Sequence, residues 1–296
     1  MGFISELFGY LLNGLYQLVN NYGIAIIIFS VILRIILIPI TIKQQKSMKK
    51  SAELQEQVKE ISKKYKNNPE KLNQETIELY RREKMSPFSG CFSSIIQLLI
   101  ILSVFWLVSQ PLTYMKGLNK VSYNPNDPNS KSVVEHYKEE LQKENNGQQS
   151  SYSEIEMINK YGAEDERIFL NMEFLGLDLS KVPGNNLSDW KVYVIPALYV
   201  ISSIISIRLT TNMTNAKKKQ ENIVIDKDGK QEPDELEAMQ AMNRNMTYMM
   251  PIMSVFIAFI APLGLALYWF VSNALMIIEK LVIDKIMKHK EEKENA

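Results

Sequence analysis

The chain has 296 residues, 46% of them hydrophobic, and a formal net charge of +1. A charge this close to neutral argues against a nucleic-acid-binding protein, which needs a basic face. The single cysteine, Cys91, excludes an intrachain disulfide framework and a thiolate metal cluster, and we expect no metal site, because His136 and His289 lie in polar segments far from a second ligand.

Residues 1–21 are predicted to form an amphipathic helix, because apolar residues such as Phe3, Leu7 and Leu11 recur at helical spacing. Such a helix suits the membrane interface. An ordinary packed amphipathic helix fits the pattern equally well. The acidic Glu6 and the lack of Lys or Arg in the first twenty residues are unlike the basic start of a cleavable signal peptide.

Four apolar blocks are long enough to approach a membrane span, which takes roughly 20 residues of helix. The last block is too long for one span and contains Pro262 and Gly264, so it predicts two helices joined by a tight turn. The fold class is therefore an all-α integral membrane protein with five transmembrane helices. The predicted spans are residues 22–42, 91–112, 191–209, 248–261 and 264–283.

The charge of the connecting segments predicts the orientation of the spans. Residues 43–88 contain twelve Lys or Arg and seven acidic residues, whereas residues 113–190 contain eight basic and thirteen acidic residues. By the positive-inside rule the first segment is cytoplasmic and the second is external. Lysines also follow the third and fifth spans, so residues 210–247 form a cytoplasmic loop and residues 284–296 a cytoplasmic tail. The N-terminus is then outside.

Two of the connecting segments have predicted secondary structure. Within residues 43–90, Leu54 and Val58 belong to an apolar seam that is followed by Pro69 and a second apolar series. This pattern predicts a cytoplasmic two-helix hairpin with a seam of coiled-coil type. In the external segment, the charged stretch at residues 133–144 predicts a helix.

Arg34 lies near the middle of the first span, about 12 Å from its cytoplasmic end by the helical rise. A charge at that depth costs about 2.5 to 3.5 kcal/mol. The nearest carboxylates, Glu279 and Asp284, lie at the cytoplasmic end of the last span, and we expect them to be a helical turn or more from the depth of Arg34. Without a partner, Arg34 predicts a hydrated cavity that opens to the cytoplasm and attracts negative charge.

Several polar residues of the spans could line this cavity. Pairing with backbone carbonyls is the alternative role for Arg34, and close helix packing is the alternative for the serines. The candidate residues are Gln97, Ser202, Ser203, Ser206, Trp269, Ser272 and Asn273.

These residues include no nucleophile with its base and no phosphate-binding glycine loop, so the sequence predicts neither an enzyme nor a bound cofactor. A secondary transporter or channel is the first alternative, because polar residues in spans often mark a pathway. The sequence lacks the internal repeats typical of such transporters. A lipid-modifying enzyme, the second alternative, would need clustered Asp, Glu or His near an interface.

Several motifs resemble the YidC/Oxa/Alb family of membrane protein insertases. The stretch NYGIAIIIFSVILRIILIPITIKQQKSM is similar to the family's first core span, and LQEQVKEISKKYKNNPEKLNQETIELYRREKMSPFSGCF resembles its cytoplasmic hairpin. FLGLDLSK, MMPIM and PLGLALYWFVSN resemble its motifs around the last three spans. By this resemblance, Arg34 takes the place of the groove arginine, Gln97 of the second-span glutamine and Trp269 of the fifth-span tryptophan. Ser93 stands where the family usually has proline.

The resemblance is to the shorter Gram-positive type of this family and covers all five spans. It implies an insertase and foldase of the bacterial plasma membrane, which draws the tail of a new membrane protein into a hydrophilic groove and releases the apolar segment sideways. Arg34 would attract acidic residues of the tail. The implied partners are nascent membrane proteins and the lipid bilayer, with the ribosome and the Sec translocon as candidates, and no direct nucleic-acid specificity.

Overall fold

The computed structural model describes residues 2–65, 68–83, 89–127, 129–148, 150–215, 253 and 256–294. These residues are mostly helical. The helices are α1 (Gly2–Val19), α2 (Tyr22–Lys64), α3 (Pro69–Arg82), α4 (Ser89–Ser109), α5 (Pro111–Tyr114), α6 (Val133–Glu144), α7 (Ser153–Tyr161), α8 (Val194–Asn215) and α9 (Leu263–Glu294). Short 3-10 helices cover Leu118–Lys120, Pro183–Asn185 and Trp190–Tyr193, and strands β1 (Glu173–Phe174) and β2 (Leu177–Asp178) form an antiparallel pair.

Three helices in the described part of the chain are long and apolar enough to cross a membrane, namely Tyr22–Ser47, Trp190–Leu209 and Leu263–Ile283. Helix α4 is 21 residues long and ends at Ser109, two residues before Pro111, and helices commonly end just before a proline. The predicted fourth span and almost all of the predicted cytoplasmic loop lie outside the described residues. The number of five spans therefore stays a prediction.

Helix α2 continues without a break from the first span into the segment predicted as a hairpin. It is 43 residues long, which corresponds to about 65 Å, roughly twice the thickness of the hydrocarbon core. Asn21 caps its start by accepting a hydrogen bond from the backbone N–H of Ile24 at 3.0 Å. Pro39 lies inside the helix and cannot donate to the carbonyl of Ile35. The series of backbone hydrogen bonds in α2 therefore lacks one bond about one turn after Arg34.

The polar end of α2 packs against α3. Asn68 caps α3 by accepting from the backbone N–H of the third helical residue, and Pro69 occupies the first turn, where its missing N–H costs nothing. Leu54 and Val58 of α2 and Leu79 of α3 are buried together in a small separate cluster. This cluster is the apolar seam on which the two helices meet.

One face of α1 is packed and the other is exposed. The Oγ of Ser5 donates to the carbonyl of Ser103 in α4 at 3.1 Å, and Gly9 faces α5 so closely that a Cβ there would lie 1.8 Å from the carbonyl oxygen of Tyr114. A packed helix and an exposed apolar stripe are therefore both present, whereas the location of α1 at a membrane interface stays a prediction. The exposed apolar residues of α1 are Phe3, Leu7, Tyr10 and Leu18.

Residues 113–190 form a small folded unit, which we call the cap region. The predicted charged helix is confirmed as α6, whose capping box joins Ser132 and Glu135. The strands were not predicted, and they add a short β-hairpin to the expected all-α fold. Its turn uses Leu175 (φ 51) and Gly176 (φ 74), the left-handed conformations that a two-residue hairpin turn requires.

The cap region holds the first turns of two spanning helices. The backbone N–H of Tyr22 in α2 donates to the carbonyl of Asn171 at 2.9 Å, and the N–H of Gly264 in α9 donates to the carbonyl of Leu179 at 2.9 Å. A Cβ on Gly264 would lie 3.5 Å from the ring of Tyr22. Helices α2 and α9 therefore start side by side and run in the same direction.

Candidate functional site: an ion pair between two spans

Arg34 has a carboxylate partner. Its Nε lies 3.1 Å from Oε2 of Glu279, and the two side chains are 15% and 7% exposed. The prediction that no carboxylate reaches Arg34 is therefore wrong. The guanidinium of α2 and the carboxylate of α9 form an ion pair between two spanning helices.

The register between α2 and α9 explains why Glu279 reaches Arg34. By the helical rise, Arg34 lies about 18 Å from the level of Tyr22, and Glu279 lies about 22 Å from the level of Gly264. Their Cα atoms thus differ by only about 4 Å in depth. Because the two helices run in the same direction, both side chains lean the same way, and their length spans the remaining offset to the observed contact of 3.1 Å. The prediction was wrong because it took the depth of each residue from the cytoplasmic end of its own span. The register of α2 relative to α9 is instead fixed at their other ends, by the cap region.

The ion pair is held by charge attraction rather than by directed hydrogen bonds. Among the described residues, Nε of Arg34 and both carboxylate oxygens of Glu279 are buried without a hydrogen-bond partner, although Nε and Oε2 are only 3.1 Å apart. The Nη2 of Arg34 donates a long hydrogen bond of 3.4 Å to the carbonyl of Ser272, so the alternative role, pairing with a backbone carbonyl, is also present. Because desolvated charges need good geometry to recover their cost, this pair is incompletely stabilised.

A second polar contact lies on the side of α9 that faces α8. Nδ2 of Asn273 donates to Oγ of Ser203 at 2.8 Å, and the ring of Trp269 lies 5.7 Å from the ring of Tyr199. Asn273 and Ser272 are consecutive and therefore point about 100° apart around the helix. The lining residues with observed contacts thus fall at two helix contacts, α2–α9 for Arg34 and α8–α9 for Ser203, Trp269 and Asn273.

Not all predicted lining residues can be placed. The side chain of Gln97 lies outside the described residues, although its backbone belongs to α4. Ser206 is half-buried in α8. The Oγ of Ser202 donates to the carbonyl of Tyr199 at 2.8 Å, which satisfies this hydroxyl within its own helix. Ser202 therefore fits the packing role better than the lining role.

Two small cavities of about 170 and 140 Å³ lie among the described residues. Both lie at the cap region, the first between β2 and the start of α9 and the second between α6 and the segment before α7, and Arg34 lines neither. A hydrated cavity at Arg34 stays a prediction. In the described part of the chain, no group of three or more His, Cys, Asp or Glu could hold a metal ion.

The cap region contains a buried carboxylate that the sequence did not single out. Glu154 of α7 is 3% exposed and accepts hydrogen bonds from the backbone N–H and the hydroxyl of Thr113. Burial raises the pKa of Glu154 to about 7, against the opposing effect of these hydrogen bonds. In the sequence it is one acid among many in an acidic segment, so only the fold distinguishes it.

Long apolar helices that carry a buried ion pair, with a polar cap region at one end, define a polytopic α-helical membrane protein. The chain belongs to the 60Kd inner membrane protein family, whose model matches residues 14–292. This match confirms the resemblance to the YidC/Oxa/Alb family. Together with the spanning helices, it places the chain in a bacterial membrane.

The chain is similar to proteins named Membrane protein insertase YidC. It is 27% identical to the Treponema denticola protein over 97% of this chain and 37% of that protein. It is 27% identical to the Fusobacterium nucleatum protein over 95% of each, and 43% identical to part of the Caldanaerobacter subterraneus protein, covering 36% of this chain and 52% of that protein. The chain thus spans about half or less of two of these relatives. Their shared name is that of an insertase and not of an enzyme, in agreement with the prediction.

Proposed function

We propose that the chain is a membrane protein insertase and foldase. The observation that carries this proposal is Arg34, a guanidinium held inside a spanning helix where a charge costs about 2.5 to 3.5 kcal/mol. Its presence in a chain of this family, similar to proteins named insertases, supports a role for Arg34 in receiving polar parts of a substrate. A secondary transporter or channel is the alternative.

The proposed orientation puts the cap region outside and the packed α2–α3 pair in the cytoplasm, with five spans between an external N-terminus and a cytoplasmic C-terminus. Arg34 is about 18 Å from the cap-region end of α2, in a hydrocarbon core about 30 Å thick. The ion pair then lies in the cytoplasmic half of the membrane. A groove that reaches it from the cytoplasm is shorter than one that reaches it from outside.

The proposed groove has a hydrophilic wall built on α2, α8 and α9. Arg34 supplies its positive charge. The hydrogen bond between Asn273 and Ser203 is between neutral groups, so its exchange for contacts with a substrate or water changes the free energy by only about 1 kcal/mol. Gln97, Ser206 and Trp269 complete the proposed lining.

The free energy for insertion comes from the substrate itself. Its apolar segment gains about 25 cal/mol for each Å² of apolar surface removed from water, while its short external tail crosses through the groove. A membrane potential, positive outside, assists an acidic tail by about 2.3 kcal/mol per charge for each 100 mV. The segment then leaves sideways into lipid.

The proposed partners are nascent membrane proteins and the bilayer. The α2–α3 pair is joined by the small cluster of Leu54, Val58 and Leu79, which is separate from the main core. Helix α2 carries this pair away from the spans, and bending of α2 at Pro39 would move the pair relative to them. We propose that it meets the nascent chain or the ribosome first, and a Sec translocon is a further candidate partner.

Reconstitution of the full chain into lipid vesicles tests the proposal. The substrate is a small single-span protein with a short acidic tail, and the readout is protection of that tail from external protease. We expect protection with the chain and little with empty vesicles. Arg34→Ala should lower the insertion rate about tenfold, which corresponds to 1.4 kcal/mol, and Arg34→Lys should retain most of it because charge is the property used.

Insertion no faster than in empty vesicles would refute the insertase. Saturable flux of a small solute through the same vesicles, without any tail protection, would instead support the transporter. Equal insertion by Arg34→Glu and wild type would disprove the electrostatic role of Arg34.

A further inference from the structure

The ion pair between Arg34 and Glu279 has no net charge. The two groups are in contact at 3.1 Å, and both side chains are mostly buried. At rest the site therefore presents a dipole to an incoming chain rather than a free positive charge.

An acidic residue that enters the site upsets this balance. If Arg34 pairs with the substrate carboxylate, Glu279 loses its partner while both of its oxygens lie in buried positions. An unpaired buried charge is one of the costliest features that a protein can contain. A purely acidic tail thus exchanges one ion pair for another and leaves one carboxylate without compensation.

The geometry of the pair permits such an exchange. Neither Glu279 oxygen accepts a hydrogen bond from Nε of Arg34, and the hydrogen bond from Arg34 to the carbonyl of Ser272 is long, at 3.4 Å. A substrate carboxylate that approaches the guanidinium with directed hydrogen bonds forms a stronger contact than the one it replaces. The remaining requirement is a positive partner for Glu279.

We propose that Glu279 makes this a dipolar exchange site, which selects substrate tails that carry an acidic and a basic residue close together. The acidic residue pairs with Arg34 and the basic residue with Glu279, so that no charge is left alone. Residues two positions apart in an extended chain lie on the same face about 7 Å apart, within reach of these long side chains. This inference rests on the proposed insertase function and names its substrate class.

The test uses the full chain in vesicles without a membrane potential and the protease-protection readout. The substrate carries one of three tails: one with Asp, one with Asp and Lys two positions apart, and one with neither charge. For wild type we expect the Asp–Lys tail to insert about tenfold faster than the Asp tail. Glu279→Gln should reverse this order, because Arg34 then lacks a partner and receives the lone Asp. Glu166→Gln, an exposed residue of the cap region with the same change in net charge, should keep the wild-type order.

A double variant serves as a control in case the single variant Glu279→Gln does not fold. Arg34→Gln with Glu279→Gln leaves no unpaired charge, and we expect it to insert the Asp and Asp–Lys tails at similar rates. The inference is overturned if wild type inserts the Asp tail as fast as the Asp–Lys tail, or if Glu279→Gln keeps the wild-type order. Failure of all three tails to exceed empty vesicles would instead refute the insertase itself.

Discussion

Replacing Glu279 by Gln keeps the size of the side chain and removes the charge that faces Arg34. At the observed separation of 3.1 Å, the attraction between two unit charges is about 5 kcal/mol at an effective dielectric constant of 20. Desolvation offsets much of this, but loss of one partner leaves the other charge buried and costs about 3 to 5 kcal/mol. Because this pair lacks directed hydrogen bonds, we expect the low end, a loss of about 3 kcal/mol in the free energy of unfolding.

The measurement is a double-mutant cycle in detergent micelles. Wild type, Glu279→Gln, Arg34→Met and the double variant are unfolded with increasing SDS and followed by tryptophan fluorescence. The double variant should be destabilised by less than either single variant, since no unpaired charge remains. A coupling energy below about 0.5 kcal/mol, the level expected for independent sites, would refute the ion pair as a contact that matters for stability.

Three further predictions concern the parts around the spans. The pKa of Glu154 is raised to about 7, so the folded protein favours the protonated carboxyl. The resulting contribution to the free energy of unfolding is complete below the ordinary carboxyl pKa and is lost as the pH rises through about 7. We therefore expect cap-region amides to lose up to about 3 kcal/mol of hydrogen-exchange protection between pH 5 and pH 8, and Glu154→Gln to abolish this difference. Gly9→Ala should lower the thermal midpoint by loosening α1, because its Cβ would meet a carbonyl at 1.8 Å, whereas Gly14→Ala, with nothing within 4 Å, should not. Leu79→Ala should cost about 2 kcal/mol and speed hydrogen exchange in α3, while the exposed Ile77→Ala should leave it unchanged.

Local patterns predicted the helices well. The apolar block that begins at Tyr22 and the charged stretch at residues 133–144 each carry their own signal, in length or composition, and both are helical. Arg34 could be identified as a candidate site residue for the same reason, because a charged residue inside an apolar block is evident from the local sequence alone. Features that depend on the residues of a single helix could therefore be predicted from the sequence.

Contacts between elements could not be read in this way. Glu279 was noticed as a carboxylate near Arg34 but placed at the wrong depth, because the register of α2 and α9 is set by backbone hydrogen bonds from the cap region to Tyr22 and Gly264. Those bonds involve carbonyls of irregular segments, which have no periodic pattern. The buried Glu154 was missed for a related reason, since only the packing of α7 on α5 separates it from the other acids.

Helix α2 also joins the ion pair mechanically to the part of the chain outside the span. The part of α2 from Arg34 to its end at Lys64 is about 45 Å long. If this part rotated about Arg34 by about 10°, its far end would move by about 8 Å. Conversely, a displacement of the α2–α3 pair by several ångströms corresponds to only a small rotation of α2 near Glu279. Pro39, where one backbone hydrogen bond is missing, lies between Arg34 and the α2–α3 pair and is the point at which α2 bends most easily. Bending there absorbs part of the motion, so the stiffness of α2 at Pro39 sets how strongly a displacement of α3 is felt at the contact between Arg34 and Glu279.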